Sequence, residues 1–297
     1  MPAPPPSAIS VAMAKAAERR AKGLPVYNFA SGNVGMLPFN IRLFSRFELL
    51  PAEGLEECLS LVASSLAKGI EEAFVERPAG LAYSPVGGTP DIKALVLRYF
   101  REIHGLPLGD GDLNRVIATA GGQMALAASL RPLKPGTKLL LRRWEYEPAS
   151  AIARSAGLLE ERVPLKDDLS LDLSALEASL SAGCVFYMSM PNNPTGFTSP
   201  EELRAICGAV RERGGAVIWD APYIFTILRL KDNKAEYDPG FLERTLEAFR
   251  AVAKEHHEDM CILSSLSKTC LIAGLRFGMA AACPEWISNM PVSYTHL

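Results

Sequence analysis

The chain has 297 residues, of which 48% are hydrophobic and 22% charged, and its formal net charge is −2 at pH 7. This composition is that of a globular protein with room for one large or two ordinary domains. The near-neutral charge argues against a nucleic-acid-binding surface, and no apolar run approaches the roughly 20 residues that a bilayer span needs.

The N-terminal stretch, Met1 to Pro6, lacks the basic start and apolar core of a signal peptide, so the expected location is the cytoplasm. Six cysteines and four histidines show no metal-ligand spacing, and we expect no metal site. All the cysteines are expected to pack as small hydrophobes, including Cys270, which lies close to Lys268 in the sequence.

Residues 8–23 have the pattern of a basic amphipathic helix that ends at Gly23. A short strand over residues 25–29 follows and leads to Gly32, where the missing side chain permits a ligand to approach the backbone. An ordinary turn explains Gly32 equally well. A further helix is predicted over residues 55–74.

The loop 80–88 is rich in glycine and proline and contains Tyr83. After it, Thr89 and Pro90 provide the N-cap and the first-turn proline of a helix that Gly105 ends. Apolar residues at i, i+3 and i+4 spacing predict a stripe that faces the core: Ile92, Leu95, Val96, Tyr99 and Phe100.

From residue 115 onward, short apolar runs alternate with helical patterns. The predicted strands are 115–119, 138–142, 160–163, 185–190, 216–220 and 260–263. The predicted helices begin after Gly122 and near residue 148, and two more cover 172–181 and 201–213. Ser199 and Glu202 form a predicted capping box at the start of the last helix. The alternation favours a mostly parallel sheet covered by helices on both faces.

Small and aromatic residues follow two of these strands directly. Gly121 and Gly122 join a strand to a helix N-terminus, where backbone N–H groups favour an anion. The pattern is neither a dinucleotide motif nor a Walker A loop, so a single phosphate monoester fits better, and a plain Gly-Gly turn is the alternative. Tyr146 follows the next strand and is placed to stack on a flat ring, with Trp144 as a rival.

The segment Ser265-Leu266-Ser267-Lys268 follows the last apolar run and precedes Gly274, Arg276 and Gly278. A lysine amine that is partly desolvated and near another cation has a lowered pKa and attacks carbonyl groups. Arg276 is a candidate for that cation and for a bidentate contact with phosphate. From this segment alone, a solvated loop lysine is the alternative.

This segment resembles the pyridoxal-phosphate lysine signature of class I and II aminotransferases, which here has the form Ser-x-Ser-Lys268, five intervening residues and Gly-x-Arg276-x-Gly. It departs from that signature at Phe277, which is bulkier than the usual aliphatic residue. Further motifs of that family occur upstream in the same order, and the resemblance covers nearly the whole chain. They are the Tyr83-x-Pro-x-Gly-Gly loop, the Asn-Asn193-Pro-Thr-Gly string and the Asp220-Ala-Pro-Tyr223 segment.

The resemblance implies fold type I of the pyridoxal-phosphate-dependent transferases: a three-layer α/β/α large domain with a mostly parallel sheet, plus an incomplete small domain. Residues 1–50 would be the N-terminal arm and part of the small domain, and 51–285 the pyridoxal-phosphate-binding large domain. Residues 286–297 would begin a truncated C-terminal region, and 291–297 resemble a non-native tail. In the family, the arginine that binds the substrate's α-carboxylate lies in a further C-terminal segment, after the residues of this chain.

The resemblance also implies a role for each motif residue. Lys268 would form an internal Schiff base with pyridoxal 5′-phosphate and move the proton between the substrate's Cα and the cofactor's C4′. Asp220 would keep the ring nitrogen protonated, and the implied catalytic residues are Lys268, Asp220 and Tyr223. Asn193 and Tyr223 would contact the phenolic oxygen. The other implied contacts are Tyr146 on the ring, Gly121, Gly122, Gln123, Ser265 and Arg276 around the phosphate, Tyr83 at the partner subunit's cofactor, and Gly32 at the substrate.

The implied function is transamination between an L-amino acid and a 2-oxo acid by a cytoplasmic homodimer without nucleic-acid or membrane partners. One alternative is a lyase that performs β-elimination with the same cofactor. The other is a non-catalytic regulator built on this fold. Such regulators carry an N-terminal DNA-binding domain, and the roughly thirty residues before Gly32 are too few for one by ordinary domain sizes, so this is the weaker expectation.

Overall fold

The computed structural model of the protein describes residues 8–26, 55–72, 85–232, 234–236, 238–270 and 273–294. The chain divides into two compact units, Met1–Gly35 and Met36–Leu297. Across the described ranges, no helix combines the length and the apolar character that crossing a membrane requires. In the same ranges, no cluster of His, Cys, Asp and Glu side chains could hold a metal ion.

The first unit contains the helix α1 (Ala8–Ala21), which the sequence predicts. Gly23 follows it with a left-handed φ of 68°, a conformation that glycine adopts without a Cβ penalty. The predicted strand over residues 25–29 is not formed at Pro25 and Val26. Its remaining residues, and Gly32, lie outside the described residues.

The second unit contains a seven-stranded sheet in the order β1-β9-β8-β5-β4-β2-β3 and a two-stranded hairpin of β6 and β7. The strands are β1 (Val116–Thr119), β2 (Lys138–Arg142), β3 (Leu159–Val163), β4 (Val185–Ser189), β5 (Ala216–Asp220), β6 (Arg229–Lys231), β7 (Lys234–Glu236), β8 (Met260–Ser265) and β9 (Gly278–Ala281). In the large sheet β9 is antiparallel to β1 and β8, and the other neighbours pair in parallel.

Helices of this unit precede the strands, connect them or, for the last helix, follow them. They are α2 (Leu55–Glu71), α3 (Pro90–His104), α4 (Gly122–Leu130), α5 (Glu147–Ser155), α6 (Leu173–Ser179), α7 (Pro200–Arg211), α8 (Pro239–His256), α9 (Leu266–Thr269) and α10 (Pro284–Tyr294). The positions of α2 to α7 agree with the predicted helices to within a few residues, whereas α8, α9 and α10 are not predicted from the sequence.

Side chains of the central strands alternate between two apolar layers. Leu140 of β2 and Phe186 of β4 pack with residues of α3, α6, α7 and α8. Their neighbours Leu139, Leu141 and Tyr187 pack with residues of α4, α5 and α10. Both faces of the sheet are therefore covered, which confirms the predicted three-layer α/β/α fold with a mostly parallel sheet.

The ends of α3 are formed as the sequence predicts, but its buried face differs at one residue. The Thr89 hydroxyl accepts a hydrogen bond from the Ile92 N–H (3.4 Å), and Gly105 ends the helix with a φ of 69°. Leu95, which the stripe assigns to the core, is 63% exposed. The buried face is centred on Val96 and Phe100, and Leu95 lies about 100° around the helix from Val96.

Only half of the predicted capping box at α7 is formed. The Ser199 hydroxyl accepts from the Glu202 N–H (3.1 Å), as expected. The Glu202 carboxylate does not return a bond to the Ser199 N–H, which donates to the Met190 Sδ instead (3.4 Å). Glu202 instead pairs with the buried Arg142 and accepts from the Leu171 N–H (2.6 Å).

The Arg142–Glu202 pair ties β2 to α7 and to the loop after β3. The Arg142 side chain is fully buried, and its second terminal nitrogen donates to the Leu169 carbonyl (2.6 Å). Its guanidinium also lies 4.7 Å from the centre of the Phe197 ring. A buried charge needs such partners, because desolvation costs several kcal/mol for each ion.

We expect Glu202→Leu to lower the free energy of unfolding by about 3 kcal/mol or more, because it leaves the buried Arg142 without its counter-charge. The double variant Arg142→Met/Glu202→Leu should recover much of this loss, since it removes the buried charge and keeps similar volume. Urea unfolding followed by circular dichroism measures both. A double variant as unstable as the single one would contradict this account.

Candidate active site

The parallel strands bring most of the predicted site residues to one edge of the sheet. β9 is antiparallel to both β1 and β8, so β1 points the same way as β8, β5, β4 and β2. The carboxyl ends of these strands therefore share an edge, where Ser189 pairs with Asp220 and Asp220 with Leu263. This is the edge at which open α/β sheets bind ligands.

An anion-binding cradle forms where β1 ends and β9 begins. Gly121 has a φ of 92° and precedes α4, and a Cβ placed on it would lie 2.5 Å from the Arg276 Nη2. A Cβ on Gly122 would lie 3.3 Å from the Ser265 Cβ, and one on Gly278 would overlap the Gly121 carbonyl group. The glycines thus allow a helix N-terminus, a hydroxyl and a guanidinium to meet.

Arg276 reaches this cradle from a left-handed backbone conformation, with a φ of 57°. Its Nη1 donates to the Ala273 carbonyl (2.8 Å), and the side chain is exposed. Guanidinium groups carry five N–H donors in a planar fork, so donors are left for an anion beside Gly121. This geometry allows the phosphate contact that the sequence predicts for Arg276.

Asp220 ends β5 as a buried carboxyl beside a buried phenol. The Tyr187 hydroxyl donates to its Oδ2 (2.9 Å), and both residues are buried. Burial raises the pKa of Asp220 to about 7, and the bond from Tyr187 opposes that rise. Tyr187 itself has a pKa raised well above its ordinary value, chiefly by burial, so it stays a donor. A cation at Asp220 would restore its ionised form.

Tyr146 and Tyr223 lie within electrostatic range of Asp220. Burial raises the pKa of Tyr223 to about 12, with smaller contributions from Asp220 and Tyr146. Burial and then Asp220 raise the pKa of Tyr146, while Arg276 lowers it. Both phenols therefore lie near the Asp220 carboxyl, and Tyr146 also lies within electrostatic range of the Arg276 guanidinium. Trp144, the predicted rival for stacking, is 51% exposed.

Lys268 lies on the short helix α9, directly after β8. Its Nζ is 5.7 Å from the centre of the Tyr223 ring, within the range of a cation–π contact. Burial lowers the pKa of this amine. Arg276, the predicted source of that shift, is not among its causes and lies against Gly121 instead. The amine is thus shifted towards its neutral, nucleophilic form by desolvation.

Asn193 lies in the loop between β4 and α7, and its position depends on two residues that the motifs do not point to. Its backbone N–H donates to the Ser189 hydroxyl (2.9 Å). That hydroxyl in turn donates to the buried Glu145. Glu145 and Ser189 have no sequence signal of their own. A glutamate between two aromatic residues is typical of an exposed position, and a serine after an apolar run indicates only the end of a strand.

Three further predicted contacts stay predictions. Gln123 is exposed in the first turn of α4. Tyr83 and Gly32 lie outside the described residues.

The described cysteine thiols fit the expected packing role. Burial raises the pKa of Cys270 to about 11 and that of Cys207 to about 12, so neither is a thiolate at neutral pH.

The residues at this edge fit pyridoxal phosphate. Because Gly121 has no Cβ, the Arg276 guanidinium lies against the helix N-terminus, where its remaining N–H groups can be offered to a phosphate. The buried Asp220 offers a carboxyl to a ring nitrogen, and the partly buried Lys268 offers an amine to an aldehyde. The set combines an anion site, a proton holder and a nucleophile, as this cofactor requires.

Comparisons with known proteins agree with this geometry. Residues 58–292 match the family model of class I and II aminotransferases. A histidinol-phosphate aminotransferase of Chromobacterium violaceum is 31% identical over 160 residues, which are 53% of this chain and 38% of the relative. An aspartate aminotransferase of Pyrococcus horikoshii is 24% identical over 213 residues, which are 70% of this chain and 50% of the relative. The chain thus spans about half the length of such relatives, or less.

Solved structures show the same fold. An aspartate aminotransferase of Thermus thermophilus with maleate superposes with a TM-score of 0.70 at 21% identity, over 98% of this chain and 66% of that chain. The Rhizobium meliloti aspartate aminotransferase gives a TM-score of 0.68 at 18% identity, over 100% of this chain and 66% of that chain.

We expect Gly121→Ala to weaken the binding of inorganic phosphate and of pyridoxal phosphate by about tenfold or more, because the new Cβ displaces the Arg276 guanidinium and a charge-assisted hydrogen bond is lost. Titration calorimetry measures both affinities. Gly136→Ala is the matched control, since Gly136 has a similar φ of 85° with open space around its Cβ position. Equal effects of the two variants would show that strain, and not the guanidinium, is responsible.

We expect Asp220→Asn to stabilise the cofactor-free chain at alkaline pH. An unfolded aspartate titrates near about 4, whereas burial raises the pKa of Asp220 to about 7. The folded state therefore binds the extra proton between these values, and stability falls as the pH rises through them. Asparagine does not titrate, so the variant keeps its stability over this range. Its free energy of unfolding relative to the unsubstituted chain should therefore rise by on the order of 2 kcal/mol between about pH 5 and pH 8.5. Urea unfolding at both pH values measures it, and a pH-independent difference would contradict the assignment.

Proposed function

This chain belongs to the class I and II aminotransferase family, whose members depend on pyridoxal phosphate, and we propose that it transfers an amino group between an L-amino acid and a 2-oxo acid. One observation carries the proposal. The Lys268 amine, the Asp220 carboxyl and the Gly121–Arg276 cradle meet at the same edge of the sheet.

Lys268 is the nucleophile and the proton carrier in this proposal. When bound, pyridoxal phosphate supplies an electron sink for the charge that develops at the substrate's Cα. The lowered pKa of Lys268 makes its amine available to form the covalent bond to the cofactor's aldehyde. The same amine, when free, would serve as the base that takes the proton from the substrate's Cα.

Asp220, Tyr187 and Tyr223 would set where protons lie around the cofactor ring. A protonated ring nitrogen beside Asp220 would lower the pKa of that carboxyl from about 7, so the carboxylate and the ring proton stabilise each other. Tyr187 orients the carboxyl through its Oδ2 and leaves the Oδ1 for the ring. With a pKa raised to about 12, Tyr223 stays protonated and would donate to the phenolic oxygen of a bound cofactor.

The relatives define the substrates to be tested. Histidinol-phosphate and aspartate aminotransferases occur among them, so L-histidinol phosphate and L-aspartate lead the panel of amino donors. β-Elimination from a sulfur amino acid is the rival reaction, because the same cofactor and lysine serve both chemistries.

We further propose that the active form is a homodimer in the cytoplasm. The resembled family supports this, since a tyrosine at the position of Tyr83 reaches the cofactor phosphate of the partner subunit there.

We expect borohydride reduction in the presence of pyridoxal phosphate to label Lys268, because burial lowers the pKa of that amine and the cradle holds the phosphate beside it. Peptide mapping by mass spectrometry locates the label. Lys268→Ala should abolish it, and Lys254→Ala, at an exposed position of α8, should not. A label on another lysine would overturn the assignment.

The half-reactions then separate the two chemistries. Amino acid alone should convert the cofactor to its amine form, and a 2-oxo acid should return it. Release of ammonia from a sulfur amino acid, with no need for a 2-oxo acid, would establish elimination instead.

A further inference from the structure

We propose that Glu145 is a positioning residue that locks the Tyr146 loop to the Asn193 loop. It would thereby fix the position of Tyr146, which would stack on the cofactor ring, relative to Asn193, which would donate to the phenolic oxygen. This inference rests on the proposed function and adds to it a residue that touches neither substrate nor cofactor.

Glu145 is a buried carboxylate, 6% exposed, that accepts hydrogen bonds from two loops. Its Oε1 accepts from the Tyr146 N–H (2.8 Å) and from the Ser189 hydroxyl. Its Oε2 accepts from the Ser189 N–H (3.1 Å) and from the Asn192 Nδ2 (3.2 Å). One of these donors lies after β2 and the other three lie at the end of β4 or just beyond it, so the side chain bridges neighbouring strand ends.

The Ser189 hydroxyl extends this bridge to Asn193. It accepts from the Asn193 N–H (2.9 Å) and from the Asn192 Nδ2 (3.3 Å). With both lone pairs used, its own proton is directed at Glu145. The chain of bonds therefore runs in one direction, from Asn193 through Ser189 to Glu145, and Tyr146 joins it from the opposite side.

A glutamate serves here because every neighbour is a donor. Burial raises the pKa of Glu145 to about 8, and its hydrogen bonds to Ser189 and Tyr146 oppose that rise, so the carboxylate that accepts from all four donors prevails above about pH 8. A glutamine would keep the shape but would turn an NH₂ group towards other N–H groups. Such a mismatch leaves buried donors unpaired and loosens both loops.

The cradle is separate from this network, which makes the test selective. Gly121, Ser265 and Arg276 do not take part in the hydrogen bonds of Glu145. Loss of Glu145 should therefore disturb the ring end of the cofactor site and spare the phosphate end.

The experiment compares Glu145→Gln with Glu147→Gln, an exposed glutamate two positions away. Titration calorimetry measures the affinities for pyridoxal phosphate and for inorganic phosphate. Glu145→Gln should weaken the first by about tenfold, as expected for unpaired buried donors, and change the second by less than about twofold. Glu147→Gln should change neither. Equal losses of both affinities, or no loss of either, would overturn the positioning role.

Amide hydrogen exchange on the cofactor-free chain gives a second readout. In Glu145→Gln, amide exchange at Tyr146, Ser189 and Asn193 should accelerate together. Ser189→Ala removes only the hydroxyl group, and it should accelerate amide exchange at Asn193. The double variant should add little to Glu145→Gln, since both residues act through one network. Unchanged exchange at Asn193 overturns the inference, whereas an unsubstituted chain that binds inorganic phosphate but no pyridoxal phosphate overturns the proposed function itself.

Discussion

The close passage of Gly121 against Gly278 is the constraint on which the site depends. β1 ends and β9 begins there, and a Cβ on Gly278 would overlap the Gly121 carbonyl group. Because neither residue has a side chain, the α4 N-terminus, Ser265 and Arg276 share a small volume. The proposed phosphate site thus depends on backbone packing at the sheet edge, and would need no long dedicated loop.

The two buried carboxyls of this edge have different partners, and the difference assigns their tasks. Glu145 accepts hydrogen bonds from Tyr146, Ser189 and Asn192, so groups of the protein itself occupy both of its oxygens. Among the described side chains, Tyr187 is the donor recorded for the Asp220 carboxyl. Asp220 therefore retains acceptor capacity for a ligand, whereas Glu145 is committed to structure.

The sequence predicts the architecture well where one signal dominates. β2 and β5 occur at the predicted residues because continuous apolar runs define them, and the motif residues follow strand ends. The pattern predicts neither the hairpin β6–β7 nor the antiparallel β9, since both are short and lack periodicity. The buried positions of Glu202 and Glu145 are not predicted either. Local sequence rules assign Glu202 to a helix cap and Glu145 to the surface, whereas hydrogen bonds to residues distant in the sequence, Arg142 and Ser189, determine where these side chains lie.

Burial moves the titrating groups of the site in complementary directions. It lowers the pKa of Lys268, which shifts that amine towards its neutral form, and it raises the pKa of Tyr223 to about 12, which keeps the phenol a protonated donor at physiological pH. The same burial raises the pKa of Asp220 to about 7, which alone works against its role as an anion. A cationic ring nitrogen reverses that effect, so the site favours a protonated heteroaromatic ring over a neutral one. Desolvation thus contributes to ligand selection as well as to the reactivity of the lysine.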